Sequence, residues 1–156
     1  MIILDLDNTI SNDEWRTKRI DWKEQGRFLR YHDYHQLAAF DEAENHHLYN
    51  QETKPIAIFT ARPVHYRALT EEWLERKGVN YKLLMMRPDN DHSHSVLLKA
   101  RMLEQLQKRW NVVLQCIVAY DDRPEVVEMY KKAGVAEAHC VCIHHRTEFK
   151  EKGLKQ

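Results

Sequence analysis

The chain has 156 residues, 43% of them hydrophobic and 31% charged, which fits one globular domain large enough to bury a real core. A mean hydropathy of −0.71 and the lack of any long apolar run argue against a membrane span. Its 24 basic and 24 acidic side chains balance, whereas a protein that tracks a long phosphate backbone usually carries a basic excess; neutrality favours a small phosphorylated ligand or a nucleic-acid end.

Met1 to Leu6 reads as a buried strand, apolar until the acids at its carboxyl end. Those acids arrive before a signal-type apolar region can form, which points to a cytoplasmic protein. Residues 8 to about 50 are polar and rich in His, Trp, Tyr and Arg, with a helix expected across 33 to 47. Pro55 to Thr60 is a second buried strand. Val64 to Lys77 follows as a helix, with Tyr66, Leu69 and Trp73 on one side and Gly78 as its stop. A short strand is expected at Leu83 to Met86, a helix at Ser95 to Trp110 and a strand at Val112 to Tyr120. Pro124 opens another helix ending near Gly134, Ala138 to Ile143 is a last strand, and residues 144 to 156 are a polar, largely basic tail. Strands alternating with helices imply one α/β domain, residues 1 to 156, around a mainly parallel sheet. Such sheets bind ligands beyond the carboxyl ends of their strands, so the residues there matter most.

Three strands end in reactive side chains. Asp5-Leu6-Asp7-Asn8-Thr9 places two carboxylates at alternate positions as the first strand runs out, and Asp121-Asp122 follows another apolar strand. Four carboxylates at one sheet edge repel unless a cation neutralises them, and an all-oxygen set suits Mg²⁺. Thr60 and Arg62 end the strand that precedes a helix, where a hydroxyl, backbone N–H groups and a guanidinium can hold phosphate oxygens; the plainer alternative is a helix cap by Thr60. Lys99 falls on the apolar stripe Val96, Leu103, Leu106, Trp110, where it can compensate the acids and bind phosphate. Cys116, Cys140 and Cys142 lie in or near apparent strands, as reduced core cysteines would. His139, Cys140, Cys142, His144 and His145 cluster densely, yet one strand face supplies the four ligands of a zinc site poorly.

Asp5-x-Asp7-x-Thr9, Thr60, Lys99 and Asp121-Asp122 stand in the order seen in the haloacid dehalogenase (HAD) superfamily of phosphatases, which the chain resembles from residue 1 to about 143. Within it the chain is most similar to the 3′-phosphatases of the bacteriophage polynucleotide kinase group. Phe59 to Pro63, Leu84 to Pro88 and Ala119 to Tyr130 carry that likeness. One departure is His92-Ser93-His94-Ser95, where that group usually shows an aspartate. The resemblance implies a Rossmann-like three-layer sandwich, with residues 10 to 50 as a small cap that sets specificity. It implies a Mg²⁺-dependent phosphomonoesterase in which Asp5 attacks phosphorus and Asp7 is the acid–base. Asp5, the backbone carbonyl of Asp7 and Asp122 would hold the metal, with Asp121 in support. Thr60 and Lys99 would stabilise phosphoryl oxygens, while Arg16, Arg62 and Arg87 would steer the substrate phosphate or its nucleotide. The expected substrate is a phosphorylated nucleotide or nucleic-acid end, with Trp15, Trp22, Phe28, Tyr31 and Tyr34 available to stack on a base. No obligate protein partner is evident, and without a Gly-x-x-x-x-Gly-Lys-Ser/Thr motif no kinase activity is expected. The alternatives are a (deoxy)nucleoside 5′-monophosphatase and, in another class, a non-catalytic module that binds a phosphorylated ligand.

Overall fold

Alternation along the strands decides which layer each side chain enters. The computed structural model describes residues 1–20, 33–50 and 53–145. Its strands, in chain order, are β1 (Ile2–Leu4), β2 (Ser11–Asn12), β3 (Glu42–Ala43), β4 (Ile56–Pro63), β5 (Leu83–Arg87), β6 (Val118–Asp121) and β7 (Glu137–Cys140). The helices are α1 (Glu14–Thr17), α2 (Arg67–Arg76), α3 (Ser95–Trp110) and α4 (Pro124–Ala133). Five strands form one sheet in the order β5-β4-β1-β6-β7, and every neighbouring pair is parallel.

Ile3, Ala57, Phe59 and Ala119 face one side of the sheet, covered by Leu98, Met102, Leu103 and Leu106 of α3 and Val126, Val127 and Tyr130 of α4. Ile2, Leu4, Ile56 and Ile58 face the other, against Trp73 and Leu74 of α2 and against Leu48 and Tyr49 of the segment between β1 and β4. Burial on both faces explains why these strands read as continuous apolar runs rather than alternating ones. The expected three-layer α/β architecture with a parallel central sheet is present. The segment between β1 and β4 builds its own antiparallel ribbon from β2 and β3. No helix among the described residues is long and apolar enough to cross a membrane.

Five local expectations are corrected. Residues 33 to 47 do not form one helix: Asp33–Phe40 is 3-10, β3 follows, and a short 3-10 turn spans His46–Leu48. Tertiary bonds override the helix here, because Trp73 Nε1 donates to the Asp41 carbonyl at 2.9 Å and Asn45 adopts a left-handed φ of 51°. The strand expected from Val112 begins only at Val118, after a 3-10 turn at Leu114–Cys116. The last strand stops at Cys140: the Val141 N–H makes the final ladder bond, to the Asp121 carbonyl of β6, and those of Ile143 and His144 turn to Asn8. All three cysteines are exposed rather than in the core, and Trp110, expected on the buried stripe of α3, is 58% exposed. The stops at Gly78 and Gly134 stand where expected, both with positive φ.

Candidate active site

β1, β4 and β6 are adjacent, so their carboxyl ends bring Asp5, Asp7, Thr60, Arg62, Asp121 and Asp122 to one edge of the sheet. β1 leaves that edge through a tight turn in which the N–H groups of Thr9, Ile10 and Ser11 all point to the Leu6 carbonyl. The turn holds Asp5 and Asp7 over the strand ends. Lys99, in the second turn of α3, reaches the same place on the helical spacing that buries Leu98, Met102, Leu103 and Leu106.

Two charge systems result. In the first, Lys99 Nζ donates to Asp5 Oδ1 at 2.7 Å and, by a shorter contact, to Asp121 Oδ2. Thr9 Oγ1 donates to Asp5 Oδ2 at 3.1 Å. Asp5, Asp121 and Asp122 each place a carboxylate oxygen within 4.8 Å of the others, the one such grouping of potential metal ligands among the described residues. Lys99 is the ammonium that Asp5 and Asp121 share. Burial raises Asp5 and Asp121 to about 6 despite Lys99, and the neighbouring acids push the same way. Burial would lower Lys99, but Asp121 and Asp5 outweigh it and hold the ammonium above its ordinary value. An all-oxygen cluster of three carboxylates fits a hard divalent cation. The His/Cys segment 139–145 contributes no comparable group.

The second system surrounds Asp7. Arg62 Nη2 donates to Asp7 Oδ1 at 2.7 Å, Arg62 Nε spans both carboxylate oxygens at 3.1 and 3.2 Å, and Arg16 Nη2 makes a short contact to Oδ1. Behind them lies Asp41, 1% exposed, which accepts from Arg16 Nε and Nη2 at 2.9 Å each, from Trp15 Nε1 at 2.9 Å and from Ser11 Oγ at 2.6 Å. Two arginines and two aspartates therefore balance. Burial alone would raise Asp7, but the Arg62 and Arg16 charges overturn it and hold the carboxyl well below its ordinary value.

Thr60, 1% exposed, lines the cleft with Asp5, Asp7 and Lys99; its hydroxyl accepts from the Arg62 N–H at 3.2 Å and caps no helix. Arg16 and Arg62, read as substrate ligands, are fully buried and turned onto Asp7. Arg87 braces backbone, donating to the carbonyls of Ala61, Asp91 and Ser93. Tyr34 is buried with the Arg16 guanidinium 4.5 Å from its ring centre, and Trp15 lies beneath Arg19. Trp22, Phe28 and Tyr31 lie outside the described residues.

The family model for the phosphatase domain of polynucleotide kinase PNKP matches residues 1–143. The chain belongs to that family. Two structures of the Pnkp1/Rnl/Hen1 complex, one described as an RNA repair complex, contain a chain of the same fold. Their TM-scores are 0.67 and 0.65, at 24% and 23% identity over 90% of this chain. This chain spans only 41% and 45% of those two. A Clostridium difficile protein assigned as a phosphatase matches at TM-score 0.60 and 15% identity, over 97% of this chain and 89% of its own. No curated protein matches the chain at a significant level.

Within this phosphatase domain the sequence reading missed four residues. His35 lines the cleft with Nδ1 3.7 Å from Asp7 Oδ2, and Arg123 lines it beside Ser95. Asp41 neutralises the arginine pair, and Asn8 donates to Asp122 at 3.0 Å. Arg123 and Asn8 sit inside the motifs already singled out, which was their signal. Asp41 and His35 carry none, because their partners are 25 and 28 positions away in a polar segment.

Proposed function

We propose that this phosphatase domain is a Mg²⁺-dependent phosphomonoesterase that removes a 3′-phosphate from polynucleotide ends or nucleotides through a phosphorylated Asp5. The observation that carries the reading is the division of the site: the carboxylates of Asp5, Asp121 and Asp122 gather where a cation could sit, beside a separate cluster in which Asp7 is held by two arginines. Asp5, Asp122 and the Asp7 carbonyl would hold the cation, with Asp121 in support. Bound there, it would offset the repulsion between the nucleophile and an anionic substrate.

Asp5 supplies the attacking oxygen: its bond to phosphorus forms as the bond from phosphorus to the leaving oxygen breaks. Asp7 gives its proton to that oxygen, then removes one from the water that displaces phosphate from Asp5. Lys99, with Thr60, neutralises the phosphoryl oxygens. In the free protein the two guanidiniums favour Asp7 as carboxylate, so the acid role requires the incoming substrate to draw one of them away. Arg16 Nη1, buried and without a hydrogen-bond partner, is a donor for a substrate oxygen. Arg62 holds Asp7 in place, Arg87 shapes the rim, and the segment between β1 and β4 acts as the cap, bringing Tyr34 and His35 over the cleft.

Phosphate release with Mg²⁺ from oligonucleotides bearing a 3′- or a 5′-phosphate tests the substrate. Faster release from the 3′ end, and from nucleoside 3′-monophosphates, is the expected outcome. A preference for 5′-monophosphates would instead make this domain a nucleotidase, and absence of turnover on any phosphomonoester would make it a binding module.

A further inference from the structure

We propose that Asn8 is a positioning residue for the Asp122 carboxylate, fixing it for the cation and tying it to the chain that leaves β7. The inference rests on the reading above that Asp5 and Asp122 share a metal. Asn8 lies between Asp7 and Thr9, is 1% exposed, and holds a left-handed φ of 65°. Glycine adopts that conformation most readily, and asparagine is among the few other residues that tolerate it. The side chain is therefore what distinguishes Asn8 from the simpler choice.

Every hydrogen-bonding position of that side chain is used. Nδ2 donates to Asp122 Oδ2 at 3.0 Å and to the His144 carbonyl at 2.8 Å. Oδ1 accepts from the N–H groups of Ile143 at 3.1 Å and His144 at 2.8 Å. The amide can lie only this way round: reversed, its oxygen would face a carboxylate and its NH₂ would face two N–H donors. A primary amide with all four bonds made inside a buried turn cannot rotate without breaking several of them. Asp122 Oδ2 is accordingly held from one side.

The same four bonds explain a second feature, the abrupt end of β7. After the last ladder bond, from the Val141 N–H to the Asp121 carbonyl, the N–H groups of Ile143 and His144 bond Asn8 rather than a strand, that of Ile143 reaching the Asn8 main-chain carbonyl at 2.9 Å as well, and Cys140 Sγ lies 3.5 Å from the Asp122 carbonyl. His144 Nε2 then meets Asp13 Oδ1 at 2.8 Å, at the start of α1. Asn8 is thus the joint between the Asp121-Asp122 loop, the exit of β7 and the base of the segment between β1 and β4. Residues that orient a metal ligand without touching the metal typically contribute about 10- to 100-fold to its affinity.

The test uses the full chain and Mg²⁺ alone. Asn8→Gly keeps the left-handed backbone and removes only the amide. Mg²⁺ affinity, measured by calorimetric titration without substrate, should fall about 10- to 100-fold. The Mg²⁺ concentration giving half-maximal turnover should rise by the same factor. A merely structural role would lower the melting temperature of the metal-free protein and leave Mg²⁺ affinity alone. Should Asn8→Gly not fold, Asn8→Ser carries the same prediction, because its hydroxyl is too short to span both Asp122 and His144. Affinity within twofold of the unmodified protein in either variant would overturn the proposal. An unmodified protein that binds no Mg²⁺ would instead overturn the metal reading beneath it.

Discussion

The two aspartates of Asp5-Leu6-Asp7 are two positions apart, yet their surroundings push them in opposite directions. Asp5 shares one lysine with Asp121 and lies near Asp122; burial and like charge raise it to about 6. Asp7 faces two arginines, and the Asp41 carboxylate behind them brings its cluster to neutrality. The first half gathers three carboxylates where a cation could sit, whereas the second matches two carboxylates with two guanidiniums. Identical side chains thus acquire different chemistry from what neighbouring elements place beside them. That separation of paired carboxylates is how one site supports both a nucleophile and an acid–base group.

The largest way to break the comparison is Asp5→Asn. It removes the attacking oxygen and a metal ligand, so turnover should vanish on every phosphomonoester, whatever the leaving group. Retained turnover would mean that Asp5 is not the nucleophile. Asp7→Asn should be selective instead. It removes the proton for the departing oxygen, a contribution of about 10²- to 10⁴-fold in rate. Hydrolysis of nucleotides should fall by that order, while release of nitrophenolate, which needs no proton at neutral pH, is spared in the first step. Asp41→Asn should follow the same pattern more weakly, by about 10-fold, because it acts through the guanidiniums that hold Asp7. Equal losses on nucleotide and nitrophenyl substrates would show that Asp41 only supports the fold.

The smallest effect sharpens the first half. Asp5 and Asp121 take up protons at about 6 in the folded protein, against an ordinary value of 3.8. Their protonation stabilises the metal-free fold at low pH, and that contribution is lost as pH rises through about 6. On the proposed reading, Mg²⁺ would bind only the deprotonated pair. Its stabilising effect, read as the rise in melting temperature on adding Mg²⁺, should therefore be small at pH 5 and grow above pH 6. A constant Mg²⁺ effect across that range would contradict the arrangement. Asp7, held well below the ordinary value, adds its stability above that value and loses it only at lower pH, outside this window.

Much of the architecture was legible because the strands carry uninterrupted apolar runs and the helices α2 and α4 end at Gly78 and Gly134. Asp5, Asp7, Thr60, Asp121 and Asp122 were legible from strand ends and Lys99 from its place on the apolar stripe of a helix, and the structure gathers all six at one edge. What the sequence hid depends on distant bonds. Residues 33 to 47 read as helix because local pattern cannot register Trp73 holding the Asp41 carbonyl, or Asn45 donating to the Thr9 carbonyl. The burial of Arg16 on Asp41 and of Arg62 on Asp7 was equally hidden, because those pairings join segments far apart in the chain. The cysteines read as core because the apparent strands were drawn too long at both Val112 and Ile143.

The central claim, that Asp5 is the nucleophile and Asp7 the acid–base, meets its most direct test in the mass of the Asp7→Asn variant after mixing with p-nitrophenyl phosphate and Mg²⁺. Phosphoryl transfer to Asp5 should proceed, because nitrophenolate leaves without a proton. The second step should stall, because no group remains to activate the water. The account predicts a burst of nitrophenolate and one added phosphoryl group located on Asp5. An unmodified mass, no burst, and equal losses on nitrophenyl and nucleotide substrates would contradict it.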